Sequence, residues 1–453
     1  MYQKTYHPQI SVILPVYNVK PYLSDCILSI QNQTLTDIEI VCIDDNSNDG
    51  SIEILKELAK DDNRMVLVQN TKNMGAAYCR NLGIKMSKGE YLAILDSDDY
   101  FAEDMLETAY SIGKKTDADL IYWEYVSTDV KTGSFAHVRR KLAPFNRVMS
   151  DVFKARDIAD YVFSLLKEAP WTKLYKREFV LNANICFQNL ANSNDVFFGR
   201  MIPLLADKII FLDNYFVYHR INRVGQISDN RGNKPLCAYQ AMYALFEEMH
   251  KRGLYSTYKN AFRSSFLGTV VHALSASGCN SETRNEFSQF LNEEGWKKCD
   301  MYDLQKEDFL SPIEYFKWKP LAVDNNWSDM FGPDIDIMFD EQLFLHLTEL
   351  NYQVCLWGYG KRGRKFVDAA IQYGFKLNGI IDNDDKLDGC CVNNVDIHKL
   401  CNQKNDFDAV ILTNSTFYTD VREELNRYGY ISKKIIDIEC FIKFGLTIQE
   451  CVV

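Results

Sequence analysis

Over the first hundred positions, short β-branched apolar runs alternate with stretches whose apolar residues recur at helical spacing. Ile10-Ser11-Val12-Ile13-Leu14-Pro15 is a strand ended by proline, which cannot donate to a ladder. From Pro21 to Gln31 the apolar Leu23, Ile27, Leu28 and Ile30 share one helical face. Ile38 to Ile43 is the next strand and ends in Asp44-Asp45. Asn46 to Gly50 is turn chemistry, and Ser51 is placed to cap a helix from Ile52 to Ala59. Met65 to Val68 is a third strand, Asn73-Met74-Gly75 a loop, and Ala76 to Met86 a helix. A fourth strand, Glu90 to Leu95, closes the series. Strand and helix alternating at this spacing predict a doubly wound α/β sheet, whose ligands bind outside the carboxyl ends of its strands. Here those ends carry Pro15, Asp45 and Asp96.

The fourth strand runs into Asp96-Ser97-Asp98-Asp99, three carboxylates within four positions. Their mutual repulsion is costly unless a cation or polar ligand sits among them. Hard oxygen donors suit Mg²⁺ or Mn²⁺, ions commonly shared with a phosphate-bearing substrate. The simpler reading is helix capping, with Asp98 or Asp99 ahead of a helix near Glu103.

The rest of the composition narrows the class. The chain has 453 residues, room for two or three domains. A net charge of −11 weighs against a general nucleic-acid binder. The 13 cysteines are scattered, several inside apolar runs (Cys26, Cys42, Cys79, Cys355), with no CxxC pair. They read as buried, reduced thiols of a cytosolic protein. Met1-Tyr2-Gln3-Lys4 lacks the apolar core of a signal peptide. No apolar run reaches the roughly 18 residues of a membrane span, so a membrane-bound substrate would be met from the side.

Four segments resemble, in order and spacing, the motifs of family-2 glycosyltransferases, which have the GT-A fold. They are Pro15-Val16-Tyr17-Asn18, Ile43 to Gly50, Asn73-Met74-Gly75 with Arg80-Asn81-Leu82-Gly83, and Leu95-Asp96-Ser97-Asp98-Asp99. The likeness covers roughly residues 8–225. It implies transfer of a sugar from a nucleotide-sugar donor, usually with inversion. It also implies that Pro15, Val16 and Tyr17 line the nucleoside pocket and that Asp45 accepts hydrogen bonds from the base. Asn73, Gly75, Arg80 and Ser97 fall among the donor-binding motifs. Asp96 would lie near the ribose or the metal, and Asp98 would hold Mn²⁺ or Mg²⁺ against the diphosphate. Asn46 stands where the family more often has glycine, a position Asn tolerates in left-handed backbone.

An inverting transfer needs a base for the acceptor hydroxyl. Asn192-Ser193-Asn194-Asp195-Val196-Phe197-Phe198 resembles the family's later acidic motif, which makes Asp195 that base. Asn194 replaces a frequent Glu, and Asp195 is equally placed to cap the following helix. Pro170 to Tyr175 resembles a stretch on the acceptor side, where Trp171 is either a sugar-stacking or a core aromatic. Tyr218-His219-Arg220 follows a strand read in two pieces, Ile209 to Phe211 and Tyr215 to Tyr218. By analogy His219 or Arg220 meets the metal or diphosphate, although a lone histidine is more often structural. Gly225 to Gly232 reads as a lid over the donor. His137-Val138-Arg139-Arg140-Lys141 is either a contact for anionic lipid or a solvated face.

Beyond residue 232 the pattern turns helical, as in Ala241 to Met249 and Phe262 to Leu274, suiting a bundle or an oligomer contact. Pro312, Pro320 and Pro333 mark a connector. The last hundred residues open a second α/β unit. Tyr352 to Trp357 is a strand, Gly358-Tyr359-Gly360-Lys361-Arg362-Gly363 a GxGxxG, Arg364 to Tyr373 a helix and Phe375 to Ile381 a strand leading to Asp382. That context is the dinucleotide fingerprint, and Ala409 to Thr413 adds a strand. The unit is similar to small Rossmann-like domains attached to bacterial sugar-modifying enzymes. It is short for a dehydrogenase, so an accessory role is favoured over redox.

The expected architecture is therefore a GT-A nucleotide-diphospho-sugar transferase domain (1–232), a helical region and connector (233–345), and a Rossmann-like domain (346–453). The expected activity is a metal-dependent, inverting transfer from a UDP-linked donor to a glycan or lipid-linked glycan of a bacterial-type surface polysaccharide. The alternatives are a non-catalytic nucleotide-sugar-binding scaffold and a nicotinamide-dependent activity of the C-terminal domain. A nucleotidyltransferase would need a Gly- and Lys-rich loop after the first strand, which Val16-Tyr17-Asn18 is not.

Overall fold

A computed structural model describes residues 7–138, 152–223, 232–276, 278–324, 339–384, 386–402, 407–414, 418–430, 432–439 and 449. The expected lid, apart from its last residue, and most of the basic run at 137–141 lie outside the described residues. The chain divides into two compact units, Met1–Phe287 and Ser288–Val453.

The first unit begins with β1 (Ile10–Val16), α1 (Lys20–Gln31), β2 (Ile38–Asp44), α2 (Ser51–Leu58), β3 (Met65–Gln69), α3 (Ala76–Met86) and β4 (Tyr91–Ile94). β1 pairs in parallel with β2 and β4, and β2 with β3, as the alternating pattern requires. Successive residues of β1 serve opposite faces. Val12 and Leu14 join a core with Leu23, Ile27 and Ile30 of α1, while Ile13 meets Gly83 of α3. The centre of the sheet is thus buried on both sides, which is why β1 and β2 are apolar at most positions; the buried Ser11 and Glu39 hydrogen-bond each other.

Past β4 the doubly wound expectation fails. β5 (Tyr100–Phe101), α4 (Met105–Thr116), β6 (Leu120–Asp129), β7 (Phe135–Val138), α5 (Val162–Leu165), β8 (Lys173–Lys176), α6 (Arg177–Ala183), α7 (Val196–Leu205) and β9 (Ile209–Ile221) follow. The finished sheet runs β3-β2-β1-β4-β8-β6-β9-β5, with β7 on β6. β8 is antiparallel to both β4 and β6, and β5 is antiparallel to β9. Half of the sheet is therefore mixed, and β9 is one strand of 13 residues in place of the two expected. Its pairing with β6 is irregular around Glu124, so the intervening polar residues Asp213 and Asn214 do not end the strand.

Three local expectations are corrected. Ser51 is not a cap: Gly50 holds the N-cap position of α2, and the Ser51 hydroxyl donates to Asp49 Oδ1 at 2.6 Å. Asp98 and Asp99 do not cap α4, whose N-cap position is Asp104. β1 passes through Pro15 to Val16. Asn46 does adopt left-handed backbone, with φ 63°. The expected buried thiols Cys26, Cys42, Cys79 and Cys355 are buried, and burial pushes the last three up to about 12.

α8 (Leu236–Lys251) and α9 (Tyr255–Ser275) pack on each other, with α8 also against α7 and α9 against α5. The helical region is thus partly built into the first unit. α10 (Ser281–Phe290) runs across the boundary and continues through a π-helical turn into α11 (Trp296–Lys298). The second unit holds α12 (Pro312–Ala322), α13 (Glu341–Glu349), β10 (Val354–Trp357), α14 (Lys361–Gln372) and β11 (Gly379–Ile381). β12 (Cys391–Val392), β13 (Val395–His398), β14 (Ala409–Leu412), α15 (Tyr418–Arg427) and β15 (Lys434–Asp437) complete it. Its sheet runs β12-β13-β11-β10-β14-β15 and is parallel except at β12. β11 is shorter than the expected Phe375–Ile381 run. Gly363 is required by close approach, since a Cβ there would sit 2.0 Å from the Gly358 carbonyl oxygen. Asp382 braces the glycine loop, accepting from Tyr359 N at 2.7 Å and from Asp384 N at 2.8 Å.

Candidate active site

The carboxyl ends of β1, β2 and β4 bring the first motifs together. Asp45 follows β2 and is 2% exposed. Its Oδ1 accepts from Asn70 Nδ2 at 2.7 Å and Met74 N at 2.8 Å, and its Oδ2 from Gly75 N at 2.7 Å. Its own N–H donates to Val16 O at 2.8 Å. Asp45 therefore ties the loop holding Asn73 and Gly75 to the strand ends. Asn73 and Tyr17 are exposed, and Pro15 is half-buried beside them. Ser97 is buried, and its hydroxyl donates to Pro15 O at 2.7 Å. It holds the turn after β4 against β1.

Asp96, Asp98 and Asp99 follow at the end of β4. Each offers a carboxylate oxygen within 4.8 Å of the others, which makes them the candidate cation cluster among the described residues. Asp99 is fully buried; burial pushes its carboxyl up, against the pull of His219. His219 Nδ1 lies 3.0 Å from Asp99 Oδ2, and Arg220 N donates to Asp99 Oδ1 at 2.8 Å. Burial opposes charge on His219, and Asp99 overrides it and raises the imidazole pKa. Asp98 pairs with Arg223, and Arg220 donates to the Asp98 carbonyl at 2.9 Å and to Asp25 Oδ2 at 2.8 Å. β9, lying antiparallel to β5, thus supplies His219 and Arg220, while Arg223 follows the end of the strand.

The residues fit a divalent cation. Three hard oxygen donors converge at the end of β4, the donor type that such an ion takes. His219 is held on Asp99 and is not among the three converging ligands. Trp171 is a core residue: it is 7% exposed, its carbonyl accepts from Trp123 Nε1, and its ring stacks on His219 at 4.7 Å.

On the opposite side, Asp195 occupies the N-cap position of α7 without using its side chain as a cap. It is half-buried. Asn194 accepts at Oδ1 from Arg80 Nη1 at 2.9 Å, and Arg80 Nη2 donates to Asp96 Oδ1 at 2.8 Å. Burial works against the Arg80 charge, and the carboxylates of Asp96 and Asp195 override it and raise its pKa. The structure thus brings Asp96, Arg80 and the Asn194-Asp195 pair together. The sequence reading counted Asp99 in the carboxylate cluster without making it a metal ligand, and it missed Arg223 as the partner of Asp98 and Asp25 as the partner of Arg220. Asp99 was legible in the carboxylate run; the two ion pairs join residues 125 and 195 positions apart and left no local signal.

The first unit is thus a mixed α/β sheet whose acidic strand end at Asp96 is joined through Arg80 to Asn194, beside a half-buried carboxylate at a helix start. Residues 11–179 match the family described as Glycosyl transferase family 2. The chain is similar to the glycosyltransferase GlyG of Streptococcus pneumoniae, with 36% identity over 47% of this chain and 70% of GlyG. On that evidence the chain belongs to glycosyl transferase family 2. A cholesterol galactosyltransferase of Borreliella burgdorferi is 30% identical over 57% of this chain and 72% of its own length. Among solved structures, the 1–349 fragment of S. aureus TarS in complex with UDP-GlcNAc shares the fold. Its TM-score is 0.53 at 18% identity, covering 71% of this chain and 90% of TarS 1–349. Residues 350–436 match the family described as C2185-like, N-terminal.

Proposed function

We propose that this glycosyltransferase is inverting and uses a divalent cation, Mn²⁺ or Mg²⁺, to move a sugar from a UDP-linked donor to a glycan or lipid-linked glycan acceptor. The carrying observation is the convergence of Asp96, Asp98 and Asp99 at the end of β4. TarS, which shares the fold, has been solved with UDP-GlcNAc. In this reading Pro15, Val16 and Tyr17 wall the nucleoside, and Asp45 orders the Asn73–Gly75 loop around it and takes the base N–H. Asp96, Asp98 and Asp99 hold the cation, which supplies Lewis-acid neutralisation of the leaving diphosphate. Arg220 and Arg223, already at the cluster, face the same negative charge. Asp195 takes the proton from the acceptor hydroxyl as the oxygen attacks the anomeric carbon from the side opposite the departing diphosphate. The acceptor belongs to surface-polysaccharide synthesis and is met at the cytoplasmic face of the membrane. No helix of the described residues is long and apolar enough to cross one. In this reading the second unit serves as a Rossmann-like accessory domain, its glycine loop braced by Asp382, which accepts from Tyr359 N.

The test is a thermal-shift screen of nucleotides and nucleotide sugars with and without Mn²⁺, on wild type and Asp98→Ala. A Mn²⁺-dependent rise in Tm with uridine nucleotides, lost in Asp98→Ala, is the expected result. Rises only with nicotinamide dinucleotides, equal in both proteins, would move the activity to the second unit and overturn the reading.

A further inference from the structure

Arg80 and Asn194 are 114 residues apart, yet their side chains meet in the interior beside the proposed base. Arg80 is 6% exposed and Asn194 also 6%. A guanidinium is costly to bury unless its N–H groups are engaged, and its planar fork sets the directions in which partners stand. Here one terminal nitrogen holds Asp96, at the donor end of the site, and the other holds Asn194, immediately before Asp195. The neighbouring residue grips the same loop. Asn81 Nδ2 donates to Phe187 O at 2.8 Å, and Asn81 Oδ1 accepts from Phe187 N at 2.9 Å. The Phe187 ring lies under the Arg80 guanidinium at 5.4 Å and stacks on Phe198 of α7 at 3.9 Å. Two consecutive residues of α3 thus fix both the loop before α7 and the helix that Asp195 begins.

We propose that Arg80 and Asn194 are positioning residues, a buried strut that sets the distance between the donor-side carboxylate Asp96 and the acceptor-side carboxylate Asp195. This rests on the transferase reading above. The chemical need is plain. A general base works only within hydrogen-bond reach of the acceptor hydroxyl, while the anomeric carbon is placed by the donor held at the other end of the site. A strut of fixed width makes the two placements one. The neutral amide of Asn194 also matters: it accepts from Arg80 without claiming the cation's charge, which remains shared by Asp96 and Asp195.

The experiment measures kcat and donor KM for Asn194→Ala, Arg80→Lys and the double variant, alongside the Tm rise each shows with UDP and Mn²⁺. Asn194→Ala removes one end of the strut, and Arg80→Lys keeps the charge but not the fork. Asn194→Ala should lose about 10- to 100-fold in kcat, with donor KM and the ligand-induced Tm rise close to wild type, whereas Arg80→Lys, which also loosens Asp96, should lose at least as much in kcat and weaken donor binding as well. The double variant should be no worse than Arg80→Lys alone, because the two residues act as one unit. A kcat within about 2-fold of wild type for Asn194→Ala would overturn the proposal, as would losses that multiply in the double variant or fall entirely on KM. Wild-type protein that turns over no nucleotide sugar would instead overturn the transferase reading, and the strut's catalytic role with it.

Discussion

Asp45 is the residue to which the loop of Met74 and Gly75 is tied, and Asp45→Asn tests that with almost no change in volume. In the wild type its carboxylate accepts from Asn70 Nδ2, Met74 N and Gly75 N, all at 2.7–2.8 Å. An amide oxygen can keep the Asn70 and Met74 pair, which share Oδ1. The amide nitrogen then faces Gly75 N, donor against donor, and that hydrogen bond is lost. A hydrogen bond to a charged acceptor contributes about 1.5–3 kcal/mol, and the two survivors weaken as the acceptor turns neutral. Relief from burying a charge offsets part of this. The net loss is about 2–4 kcal/mol, with no discount for solvent because the residue is 2% exposed. For a unit of this size each kcal/mol moves Tm by about 2–4 °C, so the first unit should melt at least about 4 °C lower. The assay is thermal unfolding followed by fluorescence, with the UDP-induced Tm rise measured in the same samples. The same substitution should weaken UDP binding, because the loop of Asn73 and Gly75 loses its tether. A Tm within about 1 °C of wild type would refute the argument that these three hydrogen bonds hold the loop.

Two further outcomes follow from packing and charge. Gly83→Ala would set a Cβ 2.3 Å from Ile13 Cγ2 and 3.1 Å from Ile43 Cδ1; it should cost about 1–3 kcal/mol by equilibrium unfolding. Adding Ile13→Ala, which removes the clashing methyl, should bring a double-variant loss smaller than the sum of the singles. Burial alone would raise the Glu168 carboxyl, but the Arg200 charge overrides it and lowers the pKa from 4.5 to about 2. The stabilisation that Glu168 provides is therefore complete above its unfolded value and lost as pH falls through its folded one. The Tm difference between wild type and Glu168→Gln should be largest near neutral pH and close toward pH ~2; a difference independent of pH would sink this account.

The first four strands and the three helices between them are legible in the chain because each is a local pattern. An apolar run or a helical stripe needs only its own residues to be recognised. The acidic strand ends were legible for the same reason, and so was the left-handed Asn46, whose residue type tolerates the turn. β6, β8 and β5 were not read as strands. β5 has two residues, and β6 and β8 owe their place to pairing with strands far away in sequence, which no local period records. Helix starts were misjudged at Ser51 and at Asp98-Asp99, since a residue fit to cap does so only if nothing nearer claims its oxygen. The Val19 N–H claims the Ser51 oxygen, while His219 and Arg223 claim the two aspartates.

By itself, then, the sequence determined the α/β class, the family, and the carboxylates proposed to carry the chemistry. Residue type and short-range spacing carry all of these, and they survive without knowledge of what lies opposite. Only the tertiary structure decided which partners those carboxylates have. It put Arg80 between Asp96 and Asn194, Arg223 on Asp98, and His219 between Asp99 and Trp171. It also closed the sheet with an antiparallel β8 and a β9 that runs unbroken past Asp213 and Asn214. The reason is physical: a buried charge is tolerated only where folding brings it a partner, and the partner's distance along the chain costs nothing once the fold is made.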